Sequence, residues 1–361
     1  MPKKVTVVTT TIYLPVFLKA YAENAKKFGH DNVDFIVIGD RKTPEGTREL
    51  CESIENCHYV DLVEQSVYLL KYPELAKHLP ENSIARRNIG HLMAYENGAT
   101  SVILLDDDNL SISDQDFVKH HAKAGMRCGL PAMESSNGWY NVCNVLQEKH
   151  GVEFYARGYP PSKRWEETTT LKFAHYGKVA VNAGLWVCDP DIDALTRLER
   201  PLKTTGFKEG THKEFALYPG TWSPWNCQNT SISRAALTSY FLSPYTGRHL
   251  DIWASYITTK IAESQEEVIA FGTPLAFHDR SPHNLYKDLD AELPWIRMTD
   301  DFVEALRKTK ITSTRFRGEY TGALKEVIEG LREHWNTSDP VKEKYLEGLS
   351  IWNDIFVNLG A

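Results

Sequence analysis

The sequence predicts an α/β protein built on a mostly parallel sheet with helices on its faces. Three observations carry that expectation. Short, continuously apolar runs occur at residues 5–9, 34–38 and 101–105, segments of helical periodicity lie between them, and turn residues mark the junctions. Continuously apolar short runs mark strands buried on both faces, and strands alternating with helices imply parallel crossover units.

The elements follow in order. Residues 5–9 are β-branched and apolar, and a Thr-rich turn leads to a helix expected at 15–28. There Val16, Phe17, Ala20 and Tyr21 share a face, Pro15 opens the first turn and Gly29 stops it. Residues 34–38 form a second strand closed by Gly39 and Asp40. A helix is expected at 45–54 and a strand at 58–62. Asn82 and Ser83 can cap a helix whose apolar face is Ile84, Ile89, Leu92 and Met93, and Gly98 leads on to the strand at 101–105.

Residues 130–295 are less regular and rich in Trp, Tyr, Pro and Gly, with strand candidates at 179–187 and 269–277. Irregular, aromatic-laden chain of this length inside a compact domain builds a binding site. From Thr299 onward the pattern is helical. Leu324, Val327 and Leu331, then Leu346, Leu349, Trp352, Ile355, Phe356 and Leu359, recur mostly at three- and four-residue steps. These stripes would pack on the core or on a second copy in a homo-oligomer. The expected division is a catalytic domain over 1–297 and a C-terminal helical extension over 298–361.

Composition excludes several classes. With 41 Lys+Arg against 48 Asp+Glu the net charge is -7, which gives no electrostatic footprint for nucleic acid or an anionic membrane. No apolar run approaches the ~20 residues of a membrane span. The start has basic residues but no apolar core, so no signal peptide is expected. The six cysteines form no CxxC pair. A cytoplasmic protein in a reducing compartment is expected.

The sharpest local signal is Leu104-Leu105-Asp106-Asp107-Asp108-Asn109. Three carboxylates at the carboxyl end of a buried strand are costly unless something positive sits there, and ligands of open α/β sheets bind at that end. A hard divalent ion, Mg²⁺ or Mn²⁺, prefers carboxylate oxygens and bridges to phosphates; the bland alternative is a solvated acidic turn. No Walker loop or GxGxxG precedes a helix. An aspartyl-nucleophile phosphatase would carry its acids after the first strand. The best physical match is a metal-bridged nucleotide-sugar site of the GT-A glycosyltransferase type.

Six blocks in order then resemble the reversibly glycosylated polypeptide family, which includes UDP-arabinopyranose mutases. They are Ala85-Arg86, Asp106-Asp107-Asp108, Arg157-Gly-Tyr-Pro through Arg164, Gly184-Leu185-Trp186 with Pro190-Asp191, Asp251-Ile-Trp-Ala, and His278 with Asn284-Leu285; together they span roughly residues 5–297. The resemblance implies a GT-A-like fold, Mn²⁺ or Mg²⁺, a UDP-sugar substrate and interconversion of pyranose and furanose rings. The alternatives are a glycosyltransferase using an external acceptor or its own arginine, and a non-catalytic nucleotide-sugar-binding subunit.

The family's glycosylated arginine would fall on Arg157 and its second essential arginine on Arg164. A guanidinium with a pKa above ~12 is a poor nucleophile. Arg157 therefore reads either as covalent acceptor or as charge stabiliser, and Arg164 as a diphosphate clamp. His278 would complete a metal shell with Asp106, Asp107 and Asp108. Asp251 reads as a general base, a sugar-hydroxyl acceptor or a helix cap. Thr9, Thr10 and Asp40, with Arg86 and Asp106, would hold the nucleotide. Trp222 and Trp225 would stack on a sugar or pack in the core. Three departures from the family pattern stand out: Leu250 before Asp251, residues 165–180 as an insertion, and polar residues 226–229 in place of a more apolar stretch.

Overall fold

The computed structural model describes residues 4–313 and 320–361. Residues 1–3 of the start, and 314–319 within the stretch expected to be helical, lie outside the described residues.

The first hundred residues alternate strand and helix: β1 (Val5–Thr10), α1 (Phe17–Lys27), β2 (Val33–Ile38), α2 (Thr47–Glu52), β3 (Cys57–Val60), α3 (Leu62–Leu69), α4 (Pro73–Lys77), α5 (Arg87–Glu96) and β4 (Ser101–Leu105). Their strands lie in the order β3-β2-β1-β4, all parallel, with Val5 beside both Val33 and Ser101. This is the parallel α/β arrangement expected. Helix α3 has no counterpart in the expectation, and the reason is visible. It exposes Val63 and Val67 and is stabilised instead at its start, where Asp61 and Glu64 form a capping box.

The second half of the sheet is built from β5 (Asn109–Ser111), β6 (Arg127–Ser135), β7 (Leu146–Glu148), β8 (Thr170–Cys188), β9 (Thr204–Phe207), β10 (Glu214–Leu217), β11 (Asn229–Ser233) and β12 (Glu267–His278). From β4 the order continues β11-β8-β6-β10-β12-β5, with β8 also beside β12. Direction is mixed here. β11 runs antiparallel to β4 and β8, whereas β8 and β12 are parallel. The long strand β8 begins at Thr170, well before the candidate at 179, and its early part pairs antiparallel with β6. The segment read as an insertion thus supplies the projecting half of a strand.

Three short helices, α6 (Phe117–His121), α7 (Ala194–Glu199) and α8 (Arg234–Leu237), fill connections, and α9 (Leu250–Ser264) carries Asp251 in its first turn. Helix α9 is buried on nearly every side, from Leu250 through Ala262 with Lys260 the main exception. A helix buried all round, with Ser255, Thr258 and Thr259 among its buried residues, shows no single apolar stripe in the sequence, which is why periodicity does not reveal it.

Helices α10 (Leu285–Lys308), α11 (Tyr320–His334) and α12 (Val341–Asn358) close the chain. Helix α10 starts well before Thr299 because the Asn284 side chain accepts the Tyr286 and Lys287 N–H groups; the boundary expected at 297 falls inside it. Trp253 of α9 lies face to face on Phe302 at 4.1 Å, with Trp335 and Tyr345 edge-on at 5.3 and 5.5 Å. Each such ring buries up to about 4–6 kcal/mol of transfer free energy. The striped residues Leu324, Val327, Leu331, Leu346, Leu349, Trp352 and Phe356 are all buried within the chain, in one core with α9 and α5. Among the described residues no helix is long and apolar enough to cross a membrane.

Candidate active site

The carboxyl ends of β1, β2 and β4 open on a cavity of ≈ 310 Å³ lined by Thr10, Thr11, Asp40, Lys42, Ser83 and Arg87 among others. A second cavity of ≈ 270 Å³ is lined by Arg157, Asp191, Gln228, Arg248, Asp251 and His278 among others. Ile84, Asp106 and Asp108 line both. The acid cluster is therefore the junction of the two.

Its carboxylates diverge. Asp106 Oδ1 accepts from Arg87 Nη2 at 2.7 Å, and Arg87 is itself buried and donates to Thr10 Oγ1 and to the Cys227 carbonyl. Burial, opposed by Arg87 and helped by the neighbouring Asp108 and Asp107, pushes the Asp106 carboxyl up to about 6. Asp107 turns the other way, accepting from Thr11 Oγ1 at 2.8 Å and the Ile12 N–H at 3.4 Å, and burial raises its pKa as well. Asp108 Oδ2 meets His278 Nε2 at 3.2 Å. Strand pairing brings them together, since His278 is the register partner of Asn109. The His278 Nδ1 lies 2.6 Å from the Asp189 carbonyl, which fixes the ring and leaves Nε2 to Asp108. Burial lowers the His278 pKa, but the Asp108 hydrogen bond and charge outweigh it and the net direction is up.

The second cavity is organised around Arg157. Its Nε donates to Asp191 Oδ1 at 2.9 Å, Nη1 to the Arg248 carbonyl and to Asp251 Oδ1 at 3.1 Å, and Nη2 to Asp251 Oδ2 at 2.9 Å. Four of the five N–H groups of a guanidinium are thereby engaged. Burial alone would lower the Arg157 pKa; Asp191 and Asp251 reverse that and drive it well above its usual value. Reciprocally, Arg157 overcomes burial and holds the Asp191 carboxyl below the usual carboxylate range. The loop carrying Arg157 closes on α9 at Gly158, whose φ is +81° and where a Cβ would come within 2.2 Å of Ile252.

The structure thus brings Arg157, Asp251, Asp106, Asp108 and His278 around one cavity, and Thr10, Asp40, Arg86 and Asp107 to the other. Several expected residues make contacts other than those expected. Asp106 and Asp107 are engaged by Arg87 and Thr11, and among the described residues no three His, Cys, Asp or Glu side chains form a metal cluster, so Asp108 and His278 are the pair that meets. Thr9 lines neither cavity. Arg164 lies outside both, tied to Asp193 at 2.5 Å. Arg86 lines the first cavity, but its guanidinium bonds to Gln65 and to the Leu79 carbonyl. Asp40 accepts the N–H groups of Asn82 and Ser83 and so pins the loop across that cavity. Trp222 and Trp225 are buried in aromatic packing, against Tyr256 and Tyr240 respectively.

Sequence reasoning misses Arg87, Asp191, Gln228, Arg248, Arg280 and His283 as site residues. For Arg87 a signal exists: of two consecutive arginines opening a helix, ~100° apart, one must turn toward the sheet. Asp191 falls in one of the six blocks and Gln228 in the polar stretch at 226–229, though neither pattern assigns it a role; Arg248, Arg280 and His283 are brought in by the fold.

The sequence matches no known family profile. It is 24% identical over 211 residues to UDP-arabinopyranose mutase 1 of Arabidopsis thaliana, across 56% of this chain and 54% of that protein. It is 23% identical over an equal span to UDP-arabinopyranose mutase 2 of the same plant. The chain thus spans about half the length of the curated relatives it matches. Among solved structures it overlaps slightly with glucosyl-3-phosphoglycerate synthase from Mycobacterium tuberculosis in complex with Mn²⁺ and UDP-glucose, with a TM-score of 0.40 at 12% identity over 85% of this chain and 78% of that one. With Staphylococcus aureus TarS 1-349 the TM-score is 0.32 at 11% identity, over 99% of this chain and 92% of that one.

Proposed function

We propose that the chain is a metal-dependent UDP-sugar mutase, exchanging pyranose and furanose forms of a sugar that parts from UDP and rejoins it within the site. One observation carries the reading: the two cavities meet at Asp106 and Asp108. A sugar nucleotide lying through both would set its diphosphate beside the acid cluster and its sugar beside Arg157. The likeness to UDP-arabinopyranose mutases supports the ligand class and the ring isomerisation.

A carboxylate and an imidazole oriented by a carbonyl fit a divalent ion that keeps several waters and takes phosphate oxygens as further ligands. Asp108 and His278 would hold Mn²⁺ or Mg²⁺, which would supply positive charge to a departing diphosphate. The rest falls to the protein. A protonated Arg157 has no lone pair for attack on the anomeric carbon; its one uncommitted N–H donates to ligand oxygens, so it stabilises charge rather than accepting the sugar. Arg248 and Arg280, anchored by Glu292 and Asp288, add positive charge to the lining of the second cavity. Asp40 keeps the loop of the first cavity in place around the nucleotide. With UDP retained, the sugar's 4-hydroxyl can add to C1 and lose its proton, and the returning UDP β-phosphate oxygen can then displace the old ring oxygen from C1, which takes up a proton. Both steps are effectively unimolecular, an advantage of about 7–11 kcal/mol over encounter from solution when well oriented.

The test is incubation with Mn²⁺ and a panel of UDP-pyranoses and UDP-furanoses, with products separated by chromatography and weighed. A new species of unchanged mass and altered retention, lost on chelation, is expected. Free UDP with a sugar adduct on protein or acceptor, and no isomer, would make the chain a glycosyltransferase. Metal-dependent UDP binding without turnover would make it a binding subunit.

A further inference from the structure

Gln228 lines the second cavity together with Asp106, Asp108 and Arg157, and the hydrogen bonds of Asn226 fix the direction of its amide. Asn226 Nδ2 donates to Asp191 Oδ2 at 2.7 Å and to Gln228 Oε1 at 3.1 Å, while Asn226 Oδ1 accepts the Gln228 backbone N–H at 3.2 Å. Reversing the Asn226 amide would set its oxygen against the Asp191 carboxylate. Both of its N–H groups are therefore committed, and Gln228 must present its oxygen to Asn226. The Gln228 Nε2 then turns the other way. Among the described residues it has no hydrogen-bond partner, yet it is not one of the atoms sealed from solvent, and Gln228 lines the second cavity.

Asp191 and Asp251, which line the same cavity, both serve Arg157. Gln228 also sits at the junction: its carbonyl accepts the Asp106 N–H at 3.2 Å, and the next residue, Asn229, pairs with Leu105. A sugar on a diphosphate held at Asp106 and Asp108 would bring its anomeric end to this point.

We infer that Gln228 is a specificity-determining residue of the site proposed above, its Nε2 donating a hydrogen bond to the sugar hydroxyl adjacent to the anomeric carbon. This rests on the sugar-nucleotide reading. An amide whose oxygen is already engaged offers N–H alone, so it matches an acceptor oxygen and is left unpaired opposite a 2-deoxy sugar.

The experiment is calorimetric titration, with Mn²⁺ present, of UDP, UDP-arabinopyranose and its 2-deoxy analogue into the wild type, Gln228→Leu and Gln228→Ala. UDP lacks the sugar and so reports on the first cavity and on folding. Both variants are expected to bind UDP within about twofold of wild type and UDP-arabinopyranose about tenfold more weakly. The 2-deoxy analogue is expected to bind wild type and variants alike. Unchanged affinity of both variants for UDP-arabinopyranose, with UDP bound normally, would overturn the inference and leave the functional reading standing. Loss of UDP binding in both variants would also overturn it, by assigning Gln228 to the architecture. A wild type that binds no UDP with metal present would overturn the functional reading itself, and this inference with it.

Discussion

The two cavities are built on different principles. The first is made mainly by strand ends and backbone: Asp40 holds a loop through two amide N–H groups, and Thr11 and Arg87, the latter also donating to Thr10, position Asp107 and Asp106. The second is made by buried charge, with Arg157 held between Asp191 and Asp251 from segments 34 and 94 residues away. A site made of backbone tolerates loss of one side chain by loosening. A site made of compensated charge does not, because removing one partner leaves the others buried and unpaired. The first cavity should therefore govern affinity and the second turnover and stability together.

The largest expected effect tests the second cavity. Arg157→Met should abolish turnover, by about 1000-fold or more, and cost about 3–5 kcal/mol of stability by urea denaturation, since it strands Asp191 and Asp251. Arg157→Lys keeps the charge but loses the fork, and should recover part of the stability with little of the rate. Turnover near wild type in Arg157→Met would end the distinction between the cavities.

Asp108→Asn comes next and acts at the junction. It should remove turnover and weaken Mn²⁺ binding, followed by the paramagnetic resonance of the free ion, while stability stays within about 1 kcal/mol because Asp108 is partly exposed. Unchanged activity would sink the metal assignment. On the first cavity, Asp40→Ala should raise the Kd for UDP about tenfold and change kcat little, as the loop at Asn82 and Ser83 is released. A fall in kcat with unchanged Kd would reverse the assignment.

A separate effect concerns pH. His91 and His249 are fully buried, and burial, reinforced by Arg87 and Arg157 respectively, lowers each pKa to about 3. Both must take up a proton on unfolding below the unfolded value of about 6.5. Stability is therefore complete above pH 7 and lost as pH falls through 6.5 toward 3, by about 2 kcal/mol per imidazole at pH 5. Denaturation midpoints of His91→Gln and His249→Gln should be less dependent on pH than wild type between 7 and 5.

The same contrast explains what could be read in the sequence. The strands at the first cavity announce themselves because each is a short apolar run that ends at its functional residue: Ile38 before Asp40, Leu105 before Asp106. Helix α9 hides because it is buried all round, and with it the context of Asp251. Arg157 could be named from its motif and Asp191 lies in one of the six blocks, but their pairing, and the Arg248 carbonyl that completes it, could not be read, because contacts formed across a fold leave no periodic trace. The distribution of Asp106, Asp107 and Asp108 among three partners is likewise set by Arg87, Thr11 and His278, on other segments. Consecutive residues on one chain can mark a site without sharing a task.

The central claim is that the sugar parts from UDP and rejoins it without leaving the site. The most direct measurement is positional isotope exchange, starting from UDP-arabinopyranose carrying ¹⁸O in the bond between the sugar and the β-phosphate, with Mn²⁺ present. The account predicts that ¹⁸O moves into the non-bridging β-phosphate positions of recovered nucleotide sugar, with no accumulation of free UDP and no exchange in Arg157→Met. Label that stays in the bridge while the ring isomer forms, or that appears only in released UDP, would contradict it.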